Sequence, residues 1–560
     1  MDSKNVIAAI SLSAAVIILY GLFFAPPPPN PDLIKNENNS TVQSTDEAPS
    51  LDQNVEVSKI SRSEAIENED RIIFENSSVV GSISLIGASI DDLTFKKYTE
   101  TINGDDNVVL LNPKKIENGY YVETGWATTN KNIKVPNSKS TWEVEGNNKL
   151  SPNSPIKLSW TNDQNIKFVK DISIDDQYLF KVNQTIINNS EKTYNFYPYG
   201  QIIRNQAPDV TDFYILHEGL IGVFDDQLVE EDYDDIEDKK FSVNADKGWL
   251  GITDKYWITS LIPQENRKFR TDFDYKNKFR ANFIETSATE VGANETKSNE
   301  IKIIIAAKEV DIIDGYAESE NINKYDLAID WGWFYWIVKN LFFVVDYFFE
   351  LTGNFGIAII LITVCIRIVF FPLANYSFRS MAKMKVLQPE MARLKDLYKE
   401  DKMKLQQEMM ALYKKEKVNP VSGCLPIFIQ IPFFFAIYKM LFVTIEMRHQ
   451  PFFGWISDLS EKDPTTIFNL FGLIPWDPPS FLIIGVWPIL MGVTMWLQQK
   501  LNPAPQDPVQ AKIFMFFPLF LTVILAPFPS GLVIYWTFNN ILTMAQQYVI
   551  MKRTTVKTIQ

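Results

Sequence analysis

Ile359-Ile360-Leu361-Ile362-Thr363-Val364-Cys365-Ile366-Arg367-Ile368-Val369-Phe370-Phe371 sets one arginine inside an otherwise apolar run. A guanidinium in the middle of a membrane span costs about 2.5 to 3.5 kcal/mol even on insertion-based scales, so Arg367 should face protein or water rather than lipid. The alternative is snorkelling. Arg367 stands about five residues before Pro372, and at about 1.5 Å of rise per residue its stem could reach the interface. Polar company at matching depth separates the two readings. Thr363 is one turn earlier on the same helix face. Gln430 lies early in the next apolar run, while Asn539 and Asn540 interrupt the last one beside Tyr535 and Thr537. An interhelical hydrogen bond of about 0.6 kcal/mol would account for any one of these amides alone. Polar groups on three spans, together with an arginine, instead predict a hydrated cavity in the inner leaflet.

Working outward, residues 355–374, 424–443, 481–497, 513–528 and 531–550 read as five spans in a core over 353–553. Just before them, 326–352 is rich in Trp, Tyr and Phe but carries Lys339, Asp346 and Glu350, which suits an amphipathic helix lying in the membrane interface. The loop 376–420 holds about 11 Lys or Arg against about 6 acids, and the short tail 554–560 follows Lys552 and Arg553 and includes Lys557. Both should stay in the cytoplasm. Within the loop, Met384, Leu387, Met391, Leu394 and Leu397 recur at spacings of three and four, as do Leu405, Met409 and Leu412. Two amphipathic helices are implied, breaking near Glu400-Asp401 and ending at Asn419-Pro420 as a hairpin. Met384, Leu387, Met391 and Met409 would either contact apolar clients or partners, or pack the hairpin seam.

Upstream of the core, the apolar run 6–25 is long enough to span a bilayer and lacks the small-x-small pattern of a cleavage site before Pro26 to Pro29, which predicts an uncleaved anchor over 1–25. The Pro-, Asn- and Ser-rich stretch 26–65 reads as a disordered tether. From 66 to 325 short alternating runs such as Lys167-Phe168-Val169 and Tyr178-Leu179-Phe180-Lys181-Val182 are separated by turn residues. An all-β sandwich follows, since two stacked sheets can bury that much alternating apolar surface. The acidic stretch from Asp225 to Asp238 lacks the Gly-punctuated spacing of a calcium loop and reads as a solvated loop.

The net charge of -14 divides unevenly. Residues 26–330 carry about 53 acidic and about 32 basic side chains, and the remainder about 15 and about 22. Positive segments flanking the spans should be internal, and six spans threaded from a cytoplasmic amino terminus place the acidic β domain outside and both termini inside. Cys365 and Cys424 are the two cysteines, and His217 and His449 the two histidines. Neither a disulfide framework nor a Cys/His zinc spacing is available.

Several longer motifs then converge. Met381-Ala382-Lys383-Met384, Leu387-Gln388-Pro389, the run from Gln407 to Lys414, NPVSGCLPIFIQIPFFFAIYKML over 419–441 and FPSGLVIYW over 528–536 closely resemble the YidC family of bacterial membrane-protein insertases, across about residues 325 to 553. The acidic β domain and the uncleaved first span look like the Gram-negative form. The resemblance implies a polytopic α-helical protein of six transmembrane helices in the inner membrane, five of them forming the core, with a periplasmic β-supersandwich domain. It implies a groove closed to the outside and open to cytoplasm and lipid, with Arg367, Thr363, Gln430, Tyr535, Trp536 and Asn539 as client-binding residues. Nascent membrane proteins would be inserted and helped to fold there. The hairpin would guide them, alone or beside the Sec translocon, with the ribosome or the signal recognition particle pathway as a further partner. Hydrophobic transfer, about 25 cal/mol per Å² of apolar surface, would supply the drive. No P-loop pattern is present. No catalytic residue, cofactor, metal or nucleic-acid readout is expected.

Two departures stand out. Trp536 occupies a place where many members carry a second tyrosine, and the short tail gives no support to ribosome attachment through a long basic extension. Two other classes compete. Mutarotase-like sugar chemistry in the β domain would need paired histidines, where only His217 is present. An anion transporter built around Arg367 would be expected to show an inverted repeat, and none is visible.

Overall fold

The computed structural model describes residues 60–102, 104–208, 216–416, 418–419, 425–471, 474–476, 478–479, 483–502 and 508–559. The expected anchor 1–25, most of the tether, Pro420 and Cys424 lie outside these residues. Two compact units divide between Trp333 and Phe334.

The first unit is the expected all-β sandwich. Among the described residues it has one sheet of eleven strands and one of nine. In the first, the strand Tyr194–Arg204 pairs antiparallel with Tyr120–Ala127 and Phe279–Glu285, in a register that sets Gly200 against Thr124 and Phe283. In the second, Thr296–Ala307 pairs with Leu179–Asn188, Val182 opposite Ile301. Period-two alternation brings one face of each strand into the space between the sheets. Phe74 and Phe180 meet there from opposite sheets at 5.2 Å between ring centroids, and Phe168 packs against Trp126 at 5.1 Å and Phe196 at 5.6 Å.

Among the described residues three short α-helices decorate this unit: α1 (Arg62–Glu67), α2 (Tyr233–Asp238) and α3 (Val310–Ser319). Helix α1 starts inside the stretch read as tether, where the Ser61 side chain accepts from the Glu64 amide as an N-cap. The acidic stretch read as a solvated loop is instead an edge strand, Gln227–Asp232, running into α2. Glu230 and Asp232 face outward on it, a charged edge of the kind that keeps a sheet from recruiting further strands. Helix α3 closes one end through Tyr316, whose hydroxyl donates to Asp175 at 2.7 Å and accepts from the Tyr178 amide at 2.8 Å.

The second unit is helical: α4 (Tyr335–Thr352), α5 (Phe355–Val369), α6 (Phe371–Leu397), α7 (Lys402–Lys415), α8 (Leu425–Val443), α9 (Val486–Leu501), α10 (Pro508–Leu525) and α11 (Ser530–Ile559). Helix α4 ends at Gly353 in the left-handed region, φ 67°, which glycine adopts without cost. The long α11 packs against α5, α6, α8 and α9. It continues through 554–559, so the stretch read as a separate tail extends the last helix. Helices α9 and α10 touch closely at Gly492, where a Cβ would stand 2.0 Å from Thr522 Oγ1.

The span read over 355–374 is not one straight helix. Pro372 has no N–H for the Ile368 carbonyl and its ring clashes with that carbonyl, so α5 stops at Val369 and α6 leaves at 70°. Among the described residues no single helix is long and apolar enough to cross a membrane, and this bent pair meets the requirement only when taken together. The loop after α8 is pinned by polar contacts. The Asp463 carboxylate, 2% exposed, accepts from the Trp487 amide at 2.9 Å and from Trp455 Nε1 at 3.1 Å, holding the start of α9. Ser530 Oγ donates to the Asp458 carbonyl at 3.1 Å at the start of α11.

Candidate functional site

Helix α5 presents Thr363, Ile366 and Arg367 at spacings of three and four, so they share one face. Against that face lie Gln430 and Phe433 of α8, Leu373 and Ala374 of α6, and Tyr535, Asn539 and Gln546 of α11. Together with Phe370 they line an open cleft of about 520 Å³. The arginine is half-buried.

Among the described residues its hydrogen bonds run from one nitrogen. Nη2 donates to Asn539 Oδ1 at 2.5 Å and to Thr543 Oγ1 at 2.5 Å, with longer contacts of 3.4 Å to the Asn539 carbonyl and to Gln430 Oε1. Every one of these oxygens is neutral. Among the described residues no carboxylate pairs with the guanidinium, which stays a half-buried cation held by neutral groups alone. Among the described residues Nη1 and Nε make no hydrogen bond, so each has a donor left to give singly to a carbonyl or carboxylate oxygen. An anionic or carbonyl-rich segment would find there the charge and the donors that bulk water otherwise supplies.

Five of the six residues expected in the groove line this cleft: Thr363, Arg367, Gln430, Tyr535 and Asn539. Thr363 does so without offering its hydroxyl, which donates along its own helix to the Ile359 carbonyl at 2.6 Å. Trp536 stands elsewhere. One residue on from Tyr535 is about 100° round the helix, and its ring packs on Phe434 at 4.6 Å and on the cluster of Met491, Leu525 and Val533. The two adjacent asparagines part in the same way, Asn540 donating to Thr494 Oγ1 at 3.2 Å on α9. Thr543 and Gln546 were not singled out in the sequence. Their signal is the spacing of four and seven from Asn539 along one helix face.

The hairpin breaks where its sequence indicates, with Asp401 capping α7 by accepting from the Lys404 amide at 3.0 Å. Its apolar residues divide between the seam and the surface. Met391 is buried, with Tyr413 Oη 4.0 Å from its sulfur, and Met384, Leu387 and Met409 are half-buried. The outward-facing apolar side chains are Val386, Leu397, Met403 and Met410.

Among the described residues no cluster of His, Cys, Asp and Glu could hold a metal. In the β domain His217 has both ring nitrogens engaged, Nδ1 with Asp232 at 2.9 Å and Nε2 with the Leu220 carbonyl at 3.1 Å. This holds the ring to its own sheet edge rather than presenting a free base.

Comparison with known proteins extends over both units. The 60Kd inner membrane protein family matches residues 347–557, and the YidC periplasmic domain family matches residues 71–344. A membrane protein insertase YidC from Pelagibacter ubique is 64% identical over 558 residues, 100% of each chain. That of Rickettsia felis is 45% identical over 560 residues, 98% of this chain and 99% of the relative. The solved structure of an active YidC insertase with its first transmembrane domain resolved aligns at a TM-score of 0.36 and 15% identity, over 86% of this chain and 92% of that one. It is the sequence relatives, close and spanning the whole length, that decide the assignment. The chain belongs to the YidC family of membrane protein insertases, an inner-membrane family with a periplasmic domain and no enzymatic activity.

Proposed function

We propose that the cleft around Arg367 is the path by which client proteins enter the inner membrane. The observation that carries this reading is the half-buried guanidinium, held from one edge by neutral oxygens and open on the other. A polar or acidic external segment of a client is drawn into the cleft by that charge, while the apolar span beside it moves into lipid. Hydrophobic transfer at about 25 cal/mol per Å² makes the second step favourable without nucleotide. The protein threads the membrane six times with both termini cytoplasmic and the β domain periplasmic, and α4 lies in the interface. Exposed Trp336 and Tyr347 support that placement of α4, since both rings suit headgroup depth. The hairpin guides clients, and the protein also acts as a folding chaperone, alone or beside the Sec translocon, with clients arriving from the ribosome or the signal recognition particle pathway.

Site-specific photocrosslinking from Thr363, Gln430 and Tyr535 to a nascent single-span client, with lipid-facing Phe516 and Leu519 as controls, tests the path. Crosslinks from all three cleft positions are expected. Crosslinks confined to the hairpin would recast the protein as a docking factor.

A further inference from the structure

Gln546 follows Asn539 by seven residues and Thr543 by three, so the three side chains lie on one face of α11. It lines the same cleft beside Leu373 and Ala374. Its Oε1 and Nε2 are both buried, and neither has a hydrogen-bond partner among the described residues. The acceptors around Arg367 are already engaged: Gln430 Oε1, Asn539 Oδ1 and Thr543 Oγ1 all receive from Nη2. The Thr543 hydroxyl proton goes to the Asn539 carbonyl at 2.6 Å. The guanidinium itself has only donors to give.

A client tail passing through the cleft out of helical form brings peptide C=O and N–H groups together. Arg367 can satisfy the carbonyls and any carboxylate, but it cannot accept from an N–H. A peptide amide buried against the cleft wall without an acceptor is costly. A primary amide carries an acceptor and two donors in one plane, the complement of a peptide unit.

We propose that Gln546 is a second receptor of the cleft, hydrogen-bonding the peptide backbone of a polar client tail while Arg367 takes its carbonyl and carboxylate oxygens. The proposal rests on the reading of the cleft as the client's path. It divides the work between two residues: Arg367 responds to charge, and Gln546 to any sequence that retains backbone N–H groups.

The test uses the full chain in sealed vesicles and a single-span client with a Ser/Asn-rich translocated tail. A matched tail is an uninterrupted proline run of the same length and so lacks those N–H groups. Gln546→Leu should lower translocation of the Ser/Asn tail about fivefold and that of the proline tail less than about twofold, one buried hydrogen bond being at stake. Equal loss for both tails, or loss for neither, overturns the proposal. A photoreactive side chain at position 546 gives a second measurement that decides alone if the leucine variant does not accumulate. It should crosslink to the Ser/Asn tail. No crosslink there, with one retained from position 363, removes Gln546 from the path and leaves the cleft standing. No crosslink from either position removes the cleft reading, and the proposal falls with it.

Discussion

Arg367 donates to Asn539 Oδ1 at 2.5 Å from the same nitrogen that reaches Thr543, so α5 and α11 are joined across the cleft by one edge of a guanidinium. On the proposed client path, the remaining donors are what a client would meet. Arg367→Ala should therefore impair insertion of clients with acidic external segments about tenfold and neutral ones about threefold or less, the difference reflecting the lost charge. Arg367→Lys keeps the charge and should retain much activity, though without the fork. Translocation of paired clients differing only in tail charge measures this. Equal loss for both, with the protein folded, would count against electrostatic capture.

The neighbouring asparagines have separate duties. Asn539→Leu removes one short acceptor from a half-buried cation that keeps Thr543, and should cost about 1 to 2 kcal/mol, the worth of one hydrogen bond to a charged group. It should also weaken the preference for acidic tails. Asn540→Leu cuts the link to Thr494 on α9 and should cost about 1 kcal/mol while leaving tail preference unchanged. Thermal unfolding in detergent and the paired-client assay separate the two effects; a common shift in preference would show that Asn540 also reaches the client.

In the hairpin, burial predicts opposite outcomes for two methionines. Met391 is 3% exposed and Met403 67% exposed. Met391→Asp forces a carboxylate into the seam and should cost about 3 kcal/mol, opening the Tyr398–Asp401 turn to protease. Met403→Asp should leave the cleavage rate within about twofold, as a surface change does. Similar cleavage of the two variants would mean that the helices do not pair as described.

The β domain carries a pH-dependent strain at Glu285. Its side chain is 1% exposed and burial pushes its carboxyl up to about 7, only partly opposed by Arg267 Nε at 3.9 Å. As pH rises from the unfolded value of 4.5 to about 7, the unfolded chain has already lost the proton that the folded one still holds, so stability falls across that window. Glu285→Gln resembles the protonated form. It should match the native protein near pH 4.5 and be more stable by about 3 kcal/mol at pH 8. Melting of the full chain at both pH values checks the sign; a variant less stable at pH 8 would mean that the ionised carboxylate has partners.

How much of this was legible follows from what each feature rests on. Alternation with period two identified the strands because the sandwich buries one face of each. The cleft was legible through Arg367, since an arginine in an apolar run has few acceptable surroundings. The bend at Phe370 was hidden although Pro372 was in view, because proline is tolerated in the first turn of a new helix as well as at the end of an old one. The edge strand at Gln227–Asp232 was missed because its charge density resembles a loop, and only its pairing with Gly219–Phe224 reveals the strand. Thr543 and Gln546 were passed over since single polar residues of these types are not unusual in a long helix that carries other polar groups. Their importance comes from the partners that α5 and α6 bring.

Trp536 offers the sharpest contrast between position in a motif and position in space. In the sequence it stands beside Tyr535 and suggests a groove lining that has lost a hydroxyl. In the structure it is turned to Phe434 and the cluster of Met491, Leu525 and Val533. Trp536→Tyr should then act through packing, costing about 1 to 2 kcal/mol as buried ring area and contacts are lost. It should leave crosslinking of a client from Tyr535's neighbours Thr363 and Gln430 within about twofold, a change no larger than surface substitutions produce. Thermal unfolding in detergent reads the first effect and the crosslink yield the second. A gain in client crosslinking without loss of stability would place the residue 536 side chain in the path after all, and would require α11 to rotate when a client enters.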